Sequence, residues 1–339
     1  ILRQLFMLAM PIMATSFIQM AYSLTDMAWV GRLGSEAVAS IGSVGLLTWM
    51  TSSIALLNKV GSEVSVGQSI GLRDETSARS YATHNVTLSL VLSLIWASVL
   101  FVFATPIIGM YELEPHIAGN AVNYLRIVSS AFPFVFMSAT FTGIFNASGR
   151  SKIPFTINSI GLVINMLLDP LLIFVCDWKT EGAALATWIA QACVFGLFVY
   201  QLKARKILWE NFRFFGKLKR AYTTKIVKIG LPVATLNALF AFVNMFLGRT
   251  ASTVGGHIGL MAMTTSGQIE AITWNTSQGF STALSAFVAQ NYAARKISRV
   301  MKALQTTLYM TLVFGIICSL LFIFCGNNIF AIFVPEKEA

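Results

Sequence analysis

The stretch PFTINSIGLVINMLLDPLLIFV, residues 154–175, holds 22 residues and one charge, Asp169. A helix needs about 20 apolar residues to cross the hydrocarbon core of a bilayer. In that solvent every backbone polar group must be satisfied within the segment, so the run reads as a membrane helix. The rest of the chain repeats the pattern. It is 56% hydrophobic and 11% charged over 339 residues, against about a quarter charged in a soluble domain. Nine membrane segments are predicted, at 5–30, 37–68, 85–108, 122–145, 154–175, 182–202, 226–249, 259–290 and 304–334. The fold class is therefore an all-α integral membrane bundle.

The net charge of +10 could suggest a nucleic-acid partner. Its distribution excludes one. Nine basic residues, from Lys203 to Lys228, fall between two apolar runs, as in a cytoplasmic loop beside an anionic leaflet. With the N-terminus inside, the inside connections hold eighteen Lys and Arg and the outside ones four. That excess sets a multi-pass protein with a cytoplasmic N-terminus, expected in a bacterial plasma membrane. Four cysteines lie in or near apolar runs, without CxxC or Cys/His metal spacing. No nucleophile elbow or phosphate loop suggests an enzyme.

The chain also repeats itself. Pro11 to Gly34 spans 23 residues, as does Pro232 to Gly255. Gly34 to Gln68 spans 34, and Gly255 to Gln290 spans 35; Gln68 to Pro106 and Gln290 to Asn328 each span 38. Repeated halves, with sites at their interface, mark secondary transporters. The expected layout is an N-lobe of six helices (1–202), a basic cytoplasmic linker (203–225) and a partial C-lobe of three helices (226–339), with helices 10 to 12 absent.

Several runs resemble the multidrug and toxic compound extrusion (MATE) transporters. They are Met10 to Met13 leading to Thr25-Asp26-Met27 and Val30 to Gly34; Val66 to Gly71; Asn165 to Phe174; and Gly182 to Thr187. The Ser266 to Glu270 run is similar to the DinF-like branch, with Gln268 where an Arg is expected. The resemblance implies two six-helix lobes, a V-shaped cavity, and antiport driven by protons or sodium. The partner it implies is a small organic cation, exported through the lipid bilayer by a monomer. A lipid-linked oligosaccharide flippase of the same superfamily is the alternative.

Ionisable residues inside membrane segments are functional candidates by default. Asp26 lies eight residues before Gly34, and Asp169 eight before Asp177. At ~1.5 Å per residue both sit roughly 12 Å below the outer boundary. Thr187 reaches a similar depth, and Asn165 shares a helix face with Asp169. Pro170 frees the Met166 carbonyl. These hard oxygens suit Na⁺ as a coupling ion, and two carboxylates in a low dielectric also suit a shared proton. The resemblance places a cation site on Asp26, Asn165, Asp169 and Thr187, with Gln19 and Tyr124 as neighbours and Pro11 as the bend of helix 1. The structural alternative is that Asp26 caps polar backbone and Asp169 braces the Pro170 kink.

Lys59 and Glu63, four residues apart, are expected to form an intramembrane ion pair, structural or coupled to transport. Glu270 is a further polar candidate in the C-lobe. In the repeat alignment Asp26 falls opposite Leu247, and Lys59 and Glu63 opposite Ser281 and Ser285. The scaffold repeats, but its charges do not. Met13, Phe17, Met20 and Phe141 are candidates for an adaptable apolar lining.

Overall fold

The computed structural model describes residues 2–111, 113–203, 209 and 212–333. Among them the structure is helical, without a strand. The order is α1 (Leu2–Gly31), α2 (Ser35–Gly71), α3 (Glu75–Val102), α4 (Ala104–Gly109), α5 (Pro115–Ala147), α6 (Lys152–Pro170), a π-helical turn (Leu171–Val175), α7 (Lys179–Lys203), α8 (Arg220–Ala293) and α9 (Ile297–Phe333). Eight of these stretches are long and apolar enough to cross a membrane. Large apolar side chains such as Leu94, Ile95, Val102, Leu167 and Ile323 face outward. That arrangement suits a lipid solvent.

The helices alternate in direction. The turns carrying Arg73, Arg150 and Arg295 therefore share one end of the bundle with the start of α1, called here the basic end. Two clusters stack between the ends. One joins Val44, Leu47, Leu100, Leu125, Phe132 and Phe136 near the opposite end. The other joins Val66, Ala78, Ile144, Phe145, Phe198 and Trp209 near the basic end. Phe141 lies fully buried there, edge-on to Phe214 and beside Phe195, so it fills the core rather than lining a cavity. Met13 does face an open apolar cleft of about 490 Å³, with Thr276, Phe280, Met310 and Val313.

Sequence punctuation sets several boundaries. Asp74 caps α3 by accepting from the Ser77 amide at 2.9 Å. Hydrogen bonds from Ser77 hold its carboxyl below the ordinary carboxylate range. The expected 85–108 segment breaks after Val102, because Pro106 has no N–H for the Val102 carbonyl and its ring crowds that oxygen. The predicted linker is partly structured: Thr83 donates to the Arg213 carbonyl at 2.6 Å, and the Gly216 amide donates to Thr87. Residues 204–208 and 210–211 of that linker lie outside the described residues.

The two segments expected at 226–249 and 259–290 are one helical element, α8. No proline follows Pro232 until Pro335, so nothing forces the ladder open. The element nevertheless doubles back. Ile226 and Gly230 pack against α2 at Gly61 and Leu57, while Ala289 and Gln290 pack against it at Gly67 and Gly71. On a straight helix Gly230 and Gln290 would stand about 90 Å apart, and Leu57 and Gly71 only about 21 Å.

The first six helices pack through close backbone approaches. Gly143 of α5 lies against the Lys59 carbonyl and 3.0 Å from the Ser62 Cβ, both of α2, measured from where a Cβ would stand. Gly143→Val should therefore separate α2 from α5 and cost about 1–3 kcal/mol. A lowered Tm of the detergent-purified protein checks this; an unchanged Tm contradicts it.

Candidate functional site

Asp26 of α1, Asn165 and Asp169 of α6, and Thr187 of α7 meet in the half of the bundle away from the basic end. The Thr187 hydroxyl donates to Asp26 Oδ2 at 3.4 Å. The Asn165 amide donates to Asp169 Oδ1 at 3.3 Å. Asp26 and Asp169 also lie close enough for the two carboxylates to act on one another. Asn165 and Asp169 are wholly buried.

Local backbone chemistry builds the site. Pro170 ends α6 and leaves the Met166 carbonyl without its i+4 donor. The ladder then widens into the π-turn, where the Cys176 amide reaches back to Leu171 at 2.9 Å. Such turns are frequent at functional sites. Asp169 sits at this discontinuity. Gly182 closes α7 onto the turn: a Cβ there would meet the Leu172 carbonyl at 2.7 Å. That approach sets Thr187 beside Asp26.

Two ionised carboxylates about 4 Å apart repel by about 4 kcal/mol at an effective dielectric of about 20. Among the described residues no Lys or Arg lies within ion-pair distance of either aspartate to offset this. Asp26 Oδ1, Asp169 Oδ2, Asn165 Oδ1 and the Tyr22 hydroxyl are buried without a partner. Partnerless buried oxygens of this kind need a proton, an ion or a water. The donor set fits a shared proton or a small monovalent cation held by oxygens. Among the described residues no three His, Cys, Asp or Glu converge as a transition metal would require.

Tyr22 was not expected here. It precedes Asp26 by one turn on the same face, so i, i+4 spacing could have revealed it. Tyr124 is buried, and both phenols lie in the field of both aspartates. Gln19, on the same face of α1, is exposed. Pro11 lies on α1 farther toward the basic end, its carbonyl accepting from Thr15 at 2.8 Å. Glu270 is exposed on α8. Lys59 and Glu63 do not form the expected ion pair. Glu63, 2% exposed, accepts instead from Asn146 of α5 at 3.0 Å. Lys59 is half-buried and acts on Glu63 only from beyond ion-pair distance. Desolvating an ammonium beside a buried carboxylate offsets much of their attraction, and a long Lys stem can carry the charge outward.

The MatE family profile matches residues 11–171 and 232–339, two stretches that begin at Pro11 and Pro232. The "Probable multidrug resistance protein YoeA" of Bacillus subtilis is 24% identical over 99% of this chain and 74% of its own length. The "Probable multidrug resistance protein NorM" of Thermotoga maritima is 22% identical over 99% and 73%. The solved structure of a MOP superfamily transporter from Pyrococcus furiosus superposes with a TM-score of 0.90 at 21% identity, covering 99% of this chain and 75% of that one.

A ligand that binds only the folded site raises stability with its concentration. The Tm of the wild type should rise with Na⁺ or with added acid. Asp26→Asn with Asp169→Asn should flatten that response; an unchanged slope in the double variant contradicts the site.

Proposed function

The chain belongs to the MatE family of membrane transporters, and on that premise we propose that it is an antiporter exporting small organic cations against an inward flow of H⁺ or Na⁺. As a family member it is a multi-pass membrane transporter and not an enzyme. The observation that carries the finer reading is the pair of neighbouring carboxylates, each with one partnerless oxygen, beside the partnerless oxygens of Asn165 and Tyr22. A site of this kind holds one cation well and two negative charges badly.

The proposed cycle follows from that electrostatics. With no cation, the repulsion between Asp26 and Asp169 strains α1 against α6. A proton or Na⁺ relieves it and draws α1, α6 and α7 together. Pro11, which lacks an N–H for the Met7 carbonyl, is the point at which α1 bends as the cluster tightens. A cationic substrate competes for the same negative field, which links its release to ion entry. Glu270, exposed on α8, is a secondary contact for such a substrate. The basic end faces the cytoplasm of a bacterial inner membrane, and the unit is a monomer. The names of the relatives point to multidrug substrates. A flippase for a pyrophosphate lipid needs basic groups at its cavity, and this site has none.

Efflux of ethidium from loaded vesicles, with pH and Na⁺ gradients imposed separately, tests the reading. Wild type should expel the dye under one of the two gradients. Asp26→Asn and Asp169→Asn should reduce export to the level of empty vesicles while folding normally. Wild-type efflux in both variants would overturn the proposed site, and no efflux by the wild type under either gradient would overturn antiport.

A further inference from the structure

We propose that Glu63 and Asn146 form a proton-binding site apart from the aspartate cluster, at the seam where α2 and α5 meet the end of α8. The site stands on its own geometry; its use in coupling rests on the antiporter reading.

Glu63 lies in the membrane-spanning part of α2 and is 2% exposed. Its one hydrogen bond is accepted from Asn146 Nδ2 at 3.0 Å. Asn146 is equally buried, and its Oδ1 has no partner. Nearby on α2, the Ser62 hydroxyl and both polar atoms of Asn58 are also buried without partners. The charged neighbours are few. Lys59 is on the same helix, beyond ion-pair distance. Residues 127–147 of α5 and 271–291 of α8 contain no acid, base, His, Cys or Tyr. At the start of α8, Arg220, Lys225 and Lys228 line an open cleft of about 720 Å³ with Gln68. On α3, His84 contacts the Ser80 carbonyl and stacks on Tyr222. An ionised carboxylate this dry, without a paired cation, neutralises itself by taking a proton.

Asn146 can serve both states. Its amide N–H donates to the carboxylate. After a half-turn, its free Oδ1 accepts from the protonated carboxyl, since the two ends of an amide differ only in hydrogen-bond role. The site is therefore bistable in a way that a Lys partner would not allow.

Its position gives the proton an effect. Gly67, one turn from Glu63, packs so closely that a Cβ would meet Ala289 at 3.0 Å and Ala147 at 3.9 Å. Gly71 rests on the Gln290 backbone. The Gln290 side chain donates to the carbonyl of Ala147, the residue after Asn146. Together α2, α5 and α8 close the basic end along this seam. When the seam is closed, Glu63 is dry and neutral. When it parts and water enters, Glu63 releases its proton to that water, and closing takes one back.

Two measurements test this on the whole chain in nanodiscs. The first is the infrared carbonyl band of protonated carboxylic acids, followed as pH is varied. Glu63→Gln should lose one component, which the Asp26→Asn, Asp169→Asn double variant retains. Identical bands in wild type and Glu63→Gln overturn the site. The second uses spin labels at Leu72→Cys and Tyr292→Cys, both exposed positions, with the four native cysteines replaced. The label distance should lengthen as pH rises in the wild type and stay short in Glu63→Gln; equal lengthening in both overturns the link to the seam. If Glu63→Gln fails to fold, Glu63→Asp substitutes, and its band must shift. An unshifted band overturns the proposal. Ethidium efflux separates the two readings: efflux with no Glu63 band sinks this site alone, and a Glu63 band without efflux sinks antiport alone.

Discussion

A backbone amide in hydrocarbon has no water to fall back on, so each must find its partner within its own segment. This constraint makes the described residues helical, and it makes every break in a helix informative. Prolines stand inside α1, α5, α6 and α8 at Pro11, Pro133, Pro170 and Pro232. Only Pro170 is followed at once by a π-turn, and the carboxylate beside it, Asp169, is wholly buried. The break that costs a hydrogen bond is also the place where the bundle gathers unpaired oxygen.

The same constraint shapes packing. Lipid tails are as apolar as leucine, so helices in a bilayer gain little from hiding apolar side chains from one another. They gain from close contact. Gly143 on the Lys59 carbonyl, Gly182 on the Leu172 carbonyl and Gly71 on Gln290 are contacts of backbone on backbone. Each lies near buried or half-buried polar side chains: Glu63 and Asn146, the aspartate cluster, and Gln290 at the basic end. Rigid approaches of this sort hold costly polar groups in place.

Charge is distributed unevenly over a repeated scaffold. The prolines at 11 and 232 open both family-matched stretches. Asp26, Asn165 and Asp169 nevertheless all lie in the first stretch, with Thr187 just beyond it, and Leu247, opposite Asp26 in the alignment, is an exposed apolar residue. The frame repeats, and the paired aspartates occupy one half of it.

Hydrocarbon length, the excess of Lys and Arg at one end, and the spacing of Pro11, Gly34 and Gln68 made the helical bundle legible from the sequence. So was the cluster of Asp26, Asn165, Asp169 and Thr187, because helix periodicity and depth are local quantities that residue counting preserves. The ion pair of Lys59 and Glu63 satisfied the same periodicity and does not form. Its rival, Asn146, lies 83 positions away, and no local count ranks a neighbour across helices against one on the same turn. The doubling back of α8 and the place of Tyr22 beside the aspartates were likewise decided by packing. The sequence by itself determined which groups lie in the membrane and at what depth, since both follow from rise per residue. Only the tertiary structure decided which of them touch, since contact depends on how the helices rotate and approach.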